Sequence, residues 1–319
     1  MRVVPQHAAR AFSVGIFGAA GAVGSAAAFA LATGGAATRL VLVDTREALL
    51  TAHATDMAAL AAVLPGCVVE PAGPAALAGC DVVVACAGAP HRDHAPRSAF
   101  LAENAAIVAQ LADALAPSDG WGGRVVLVTN PVDALATWLR RRLGLPRERV
   151  LGYALNDELR LRAAIAGVLG CRAGAVDAWV AGEHGPHAVP LLSRIRVGGV
   201  PVALDPWQRA AVLVELDGWY ERWQRLGTGR TAVWSTAWGV AALVRALRHD
   251  DERVRSVSVA LEGEYGIHGV CLAAPVRVDG AGATVLEWPL EADEARAMGL
   301  AAEAVETAVE SIEHARTAA

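Results

Sequence analysis

The segment Gly182-Glu183-His184-Gly185 sets a histidine between two glycines, downstream of Asp157-Glu158-Leu159-Arg160. A histidine that moves a proton needs a carboxylate to hold its tautomer, and an anionic small molecule needs a guanidinium beside it. All three groups fall within residues 157–184, so their types and spacing point to proton transfer on an anionic substrate. Taken singly, each has a plainer explanation: His184 as an internal histidine, Asp157 as the cap of a helix beginning near Asn156, Arg160 as part of a solvated helix face.

A second set could hold a dinucleotide. Gly18-Ala19-Ala20-Gly21-Ala22-Val23-Gly24 follows an apolar run that reads as a strand and opens an alanine-rich run that reads as a helix. Glycines there let the backbone approach a pyrophosphate, whose charge the helix N-terminus holds. Asp44 stands at the end of the next apolar run, twenty positions after Gly24, where a carboxylate accepts hydrogen bonds from both ribose hydroxyls. The same carboxylate repels a 2′-phosphate, which predicts NAD rather than NADP; Arg46, close by, pulls the other way.

The elements that must position these groups follow from periodicity. Strands are expected at 12–17, 40–43, 81–86 and 125–129, alternating with helices at 22–33, 47–62, 98–115 and 132–143. That alternation predicts a parallel sheet covered on both faces. After about residue 152 the pattern changes: helices at 156–168, 206–225 and 230–247, runs at 255–262, 267–277 and 283–288 that read as an antiparallel meander, and a closing helix at 292–315. The predicted fold is therefore α/β, a Rossmann-type parallel-sheet domain at 1–152 followed by an α+β substrate and catalytic domain at 153–319. The halves are expected to pack tightly, because no low-complexity linker separates them.

Composition narrows the partners. The 319 residues are 54% hydrophobic with a net charge of -5, and the charges are interspersed, without a basic block that could follow a phosphate backbone or an anionic membrane. Nucleic acid and membrane are not expected partners. The five cysteines, Cys67, Cys80, Cys86, Cys171 and Cys271, show no paired spacing, so neither a disulfide framework nor a zinc site is expected, and a reducing cytoplasm fits best. The uncharged run from Ala11 to Thr38 is interrupted by Gly15, Gly18, Gly21 and Gly24 and leads into Val41-Leu42-Val43-Asp44, so it reads as strand, turn and buried helix rather than as a leader or a membrane span.

Taken together, these segments resemble the malate/lactate dehydrogenase family from about residue 13 to 315. The resemblance is carried by residues 18–24, Ala87-Gly88-Ala89-Pro90, Asn104, Thr129-Asn130-Pro131-Val132-Asp133, Asp157 with Arg160, Gly182-Glu183-His184-Gly185, Val189-Pro190 and Leu261-Glu262-Gly263-Glu264-Tyr265-Gly266. It implies that His184 exchanges a proton with the substrate oxygen and that Asp157 orients its ring. It also implies that Arg160 clamps the substrate carboxylate through two charge-assisted hydrogen bonds. Asn130 would fix the substrate oxygen and the strand end facing the nicotinamide, and Arg97 would polarise the reacting carbonyl when its loop closes. NAD would be held by Gly18, Ala20, Gly21, Ala22, Val23, Asp44, Ala87, Gly88, Asn104, Val128 and Asn130, with no metal. A homodimer or homotetramer is the implied assembly, with helices 22–33, 156–168 and 206–225 as contact faces.

The substrate loop departs from the family pattern. It reads Ala87-Gly88-Ala89-Pro90-His91-Arg92-Asp93-His94-Ala95-Pro96-Arg97, which puts His91 where malate enzymes carry arginine and lactate enzymes glutamine. A histidine there suits a second carboxylate or a polar tail better than a methyl group, which favours malate and oxaloacetate. Trp234 or Trp238 falls where the family lines the far pocket wall with small residues, whereas Trp219 and Trp223, four apart on one helix, read as core or subunit contact. Three readings stay open: a malate-type dehydrogenase, a specialised dehydrogenase of secondary metabolism acting on another 2-oxo acid, and an NAD-binding homologue without turnover.

Overall fold

The computed structural model describes residues 11–63, 66–90, 97–116, 121–229 and 231–317. Six strands, β1 (Ser13–Phe17), β2 (Arg39–Val43), β3 (Val68–Pro71), β4 (Val82–Ala85), β5 (Arg124–Leu127) and β6 (Val150–Tyr153), pair in parallel in the order β3-β2-β1-β4-β5-β6. Helices α1 (Ala22–Thr33), α2 (Glu47–Ala61), α3 (Arg97–Leu115) and α4 (Val132–Leu143) connect them. β1 and β4 are buried along their whole length, as strands covered on both faces must be. Between them the strand order reverses, which opens a crevice at their carboxyl ends. Gly18, Asp44 and Ala87 follow the ends of β1, β2 and β4 at that crevice.

The second half contributes α5 (Leu155–Leu169), β7 (Val176–Asp177), β8 (Val180–Gly182), β9 (Ala188–Pro190), β10 (Arg196–Val197), β11 (Val200–Pro201), α6 (Pro206–Arg225) and α7 (Trp234–Arg248). It closes with β12 (Val254–Glu262), β13 (His268–Asp279), β14 (Gly282–Val285) and α8 (Ala292–Thr317). The expected antiparallel meander is present as β12, β13 and β14, but it does not form a separate sheet. β12 pairs antiparallel with β6, so one sheet runs from β3 to β9 through both halves. One apolar core spans the junction and includes Leu127, Leu151, Val257 and Leu272. Continuous pairing of this kind ties the two halves rigidly, which matters because each supplies part of the site.

Local sequence explains the elements that carry functional groups. α4 buries Val132 to Leu139 and ends in Arg140, Arg141 and Arg142, which face the negative end of the helix dipole, before Gly144 turns left-handed at φ 61°. α5 has Asp157 and Glu158 in its first turn and ends on Gly170 at φ 66°. α7 begins at Trp234, later than the expected 230, and the strand expected over 283–288 ends at Val285. Beyond it the chain turns so that Trp288 packs edge-on against Trp179, with ring centroids 4.8 Å apart. Among the described residues no helix is long and apolar enough to cross a membrane. The cysteines are all unpaired.

Candidate active site

Helical spacing puts Asp157 and Arg160 on one face of α5, where Asp157 Oδ1 accepts from Arg160 Nη1 at 3.0 Å. The other carboxylate oxygen, Oδ2, pairs with His184 Nδ1. Asp157 therefore bridges the imidazole and the guanidinium, and the three side chains predicted to act together do converge. They sit in a partly buried setting, with side-chain exposures of 16% for Asp157, 23% for Arg160 and 12% for His184. Trp219 of α6 adds a fourth group: the Arg160 Cζ lies 3.7 Å from its ring centroid, and the Trp219 ring stacks on that of Trp223 at 5.4 Å and 12°.

The backbone of His184 is held from α4. Its N–H donates to Asp133 Oδ2 at 2.6 Å, and the loop that follows β8 is tightened by Gly185 N–H to Glu183 O at 2.8 Å. Asp133 is buried, and burial pushes its carboxyl up to about 6, a rise that the His184 N–H only partly opposes. Glu158, also buried and shifted upward by burial, accepts from the Ser256 N–H at 2.8 Å and so ties α5 to β12. Tyr153, Asn156 and Thr236 form a second brace, with Asn156 Oδ1 accepting from the tyrosine hydroxyl at 3.0 Å and Nδ2 donating to Thr236 at 2.8 Å.

The turn after β1 fits a dinucleotide. Gly18 has φ 92°, and a Cβ there would lie 2.4 Å from the Ala87 nitrogen; a Cβ on Gly24 would lie 2.1 Å from the Gly18 carbonyl oxygen. Only glycine lets the turn, the helix start and the end of β4 approach this closely. The N–H groups of Gly18, Ala19, Ala20 and Gly21 are already spent inside the protein: the first two on Val43 O, Ala20 on Asp44 Oδ2 at 2.9 Å, Gly21 on Gly18 O. The Ala20 amide thereby orients Asp44 at the end of β2. The orphan donors of the first turn of α1, on Ala22, Val23 and Gly24, are the groups placed to meet a pyrophosphate.

Asp44 Oδ1 accepts from the backbone and Nε of Arg46, both at 3.0 Å. Burial raises the carboxyl, but hydrogen bonds from Arg46 and Ala20 and the Arg46 charge outweigh it, so Asp44 is held below the ordinary carboxylate range and stays ionised. The Asp44 side chain is largely buried while that of Arg46 is 55% exposed, so Arg46 can swing into solvent and leave the carboxylate to a ribose. NAD therefore fits the residues present. Asn104 braces this end of the site: its Oδ1 accepts from Ala89 N–H and its Nδ2 donates to Asn130 O, both at 2.7 Å. Thr129 Oγ1 donates to Ala87 O at 2.7 Å and the Val128 N–H to Ala85 O at 2.9 Å, joining the ends of β4 and β5. Gly88 lies against Asn104 and Thr129. Asn130 is exposed at this junction and its bond to Pro131 is cis.

His91 lies outside the described residues, and Arg97 opens α3 with its side chain outside them too. Among the described residues no group of three or more metal-ligating side chains occurs. Sequence reasoning missed Asp133, although it stands inside a segment already singled out; a carboxylate opening an otherwise apolar helix was the available signal. It also assigned Trp219 to packing, and no spacing rule links Trp219 to Arg160.

The chain is similar to known proteins over most of its length. Residues 12–152 match the family model described as lactate/malate dehydrogenase, NAD binding domain, and residues 156–316 match the lactate/malate dehydrogenase, alpha/beta C-terminal domain. The chain is 36% identical over 306 residues to a malate dehydrogenase of Thermomicrobium roseum, covering 94% of this chain and 97% of that protein. It is 32% identical over 316 residues to an L-lactate dehydrogenase 2 of Staphylococcus aureus, covering 92% and 95%. A solved malate dehydrogenase from Aeropyrum pernix superposes with a TM-score of 0.84 at 29% identity, covering 93% of this chain and 97% of the other.

Proposed function

We propose, because the chain belongs to the lactate/malate dehydrogenase family and is thereby an NAD-dependent dehydrogenase, that its substrate pair is malate and oxaloacetate. The observation that carries the catalytic assignment is the carboxylate of Asp157 shared between His184 and Arg160. Support for the dicarboxylate comes from His91, at the position where the family's substrate classes differ, and from relatives named malate dehydrogenase.

Bound NAD supplies the hydride chemistry at its nicotinamide. The first turn of α1 and Asp44 would hold the dinucleotide at the crevice that follows β1 and β4. Arg160 takes the substrate carboxylate in the plane of its guanidinium. With Nδ1 engaged by Asp157, His184 exchanges the proton at Nε2, donating it during carbonyl reduction and accepting it during alcohol oxidation. Asp157 stabilises the protonated imidazole and keeps its tautomer, Asp133 fixes the backbone beneath it, and Asn130 and Arg97 complete the contacts to the reacting oxygen. His91, when protonated, meets the second carboxylate.

A panel of 2-oxo acids assayed with NADH by loss of nicotinamide absorbance tests the reading. Oxaloacetate is expected to show the highest kcat/KM, with a KM that rises as pH passes above the ordinary imidazole range near about 6.5, where His91 loses its charge. Preference for pyruvate, or a KM indifferent to pH, overturns the dicarboxylate assignment. A second reading, a 2-oxo acid with a bulky tail, is favoured by Trp234 and Trp238, which are 80% and 56% exposed on the turn of α7 that Thr236 ties to Asn156. An aromatic 2-oxo acid outpacing oxaloacetate in the same panel would select it.

A further inference from the structure

We propose that Trp219, braced by Trp223, is a positioning residue for substrate recognition: it fixes the plane of the Arg160 guanidinium and thereby the seat of the substrate carboxylate. The inference rests on the assignment of Arg160 as the carboxylate clamp. The Arg160 Cζ lies over the Trp219 ring, 3.7 Å from its centroid, and Trp219 is itself stacked with Trp223 at 5.4 Å and an interplanar angle of 12°. At that distance the cation lies against the face of the ring, which attracts it while leaving its N–H groups, all in the guanidinium plane, to hydrogen-bond sideways. One of those in-plane bonds is observed, to Asp157 Oδ1 at 3.0 Å. A carboxylate is recognised by the same in-plane edge geometry.

The stack is itself anchored. Trp219 and Trp223 are one turn apart on α6, so their rings meet without distorting the helix. The start of α6 is set by a reciprocal cap, in which Asp205 Oδ1 accepts from the Gln208 N–H at 2.8 Å and Gln208 Oε1 accepts from the Asp205 N–H at 3.0 Å. Val212 is fully buried in one cluster with Leu161 and Ile165 of α5, which fixes the register of α6 against the helix that carries Arg160. A free arginine side chain has many rotamers, and ordering one when the substrate arrives weakens binding. Here the ordering is done on folding. The ring also keeps water off one face of the guanidinium, which strengthens its attraction for a carboxylate at its edge.

The role is separable from mere packing because it acts only through the carboxylate. A 2-oxo acid and its methyl ester, compared in wild type and in W219L with NADH, provide the readout. W219L is expected to raise KM for the acid about tenfold with kcat within about twofold, while kcat/KM for the ester stays unchanged; W219F restores the acid KM to within about threefold of wild type. W223L, which only loosens the brace, is expected to raise the acid KM about threefold. Equal losses for acid and ester, or an unchanged acid KM, overturn the proposal. Should W219L not bind NADH, W223L decides, and an unchanged acid KM in that variant overturns it. A wild-type chain that neither binds nor reduces the acids overturns the Arg160 assignment and this inference with it, whereas wild-type turnover with an indifferent W219L removes only the role of Trp219.

Discussion

Replacing Asp157 by asparagine keeps the shape of the side chain and removes the charge that His184 and Arg160 share. The Asp157 and His184 side chains are 16% and 12% exposed, so their interaction is weakened by solvent but not abolished. At an effective dielectric of about 20 and a separation of about 3 Å, two unit charges attract by roughly 5 kcal/mol. The amide retains one acceptor and the site admits some water, which leaves a loss of about 3 kcal/mol against the protonated imidazole. That corresponds to about a hundredfold in rate near neutral pH, and to a displacement of the pH profile of reduction toward acid. The assay is kcat/KM for oxaloacetate reduction measured across the pH range, with NADH affinity followed separately as a control. KM is expected to stay within about twofold, because Arg160 loses a competing anion rather than its own charge. A loss below about threefold, or one that is the same at every pH, would refute the reasoning, since either outcome means that the Asp157 charge does not support the proton on His184.

Two further outcomes follow from the same geometry. G18A forces a side chain onto a residue with φ 92° and to within 2.4 Å of the Ala87 nitrogen, whereas G79A adds a methyl group with nothing within 4 Å; G18A is expected to cost at least about 3 kcal/mol and to abolish NADH binding, with G79A neutral, and thermal melts that coincide for the two would show that the close approach is unimportant. Burial pushes the Asp133 carboxyl from the ordinary carboxylate value up to about 6, so the folded state binds its proton more tightly than the unfolded chain. Stability from this group is therefore complete below about pH 4 and is lost as pH rises through about 6, on the order of 3 kcal/mol in total. D133N, which keeps an acceptor for the His184 N–H, is expected to match wild type at acid pH and to exceed it above pH 6; parallel urea midpoints across this range would count against a buried charge at Asp133.

Local physics made much of the architecture readable. The alternation of β-branched runs with alanine-rich runs placed α1 at 22–33 and α4 at 132–143, and helical periodicity beyond residue 152 placed α6 at 206–225, each with the observed bounds. Such patterns survive because each strand or helix buries a face whose period is set by its own backbone. Two strands escaped: β3 is largely solvent-facing and holds Glu70 and Pro71, and β6 is interrupted by Gly152, whereas the equally short β4 and β5 stand out as apolar runs. The joining of β6 to β12 was not legible either, because antiparallel pairing between residues 153 and 257 leaves no local signature.

Within the site the division follows sequence distance. The pairing of Asp157 with Arg160 is written into the chain, since three residues along a helix bring any two side chains to one face. The glycine turn before α1 and the aspartate after β2 are legible for a similar reason, being consecutive parts of one βαβ unit. Which carboxylate would hold the His184 backbone and which aromatic ring would cover Arg160 depended on how α4, α5 and α6 pack, and the approach of Asp157 to His184, although expected, is likewise made only by the fold. Asp133, Asp157 and Trp219 lie 51, 27 and 59 positions from the groups they serve. Over such separations the backbone imposes no geometry, and only the burial of apolar faces brings the partners within a hydrogen bond or a ring stack of each other.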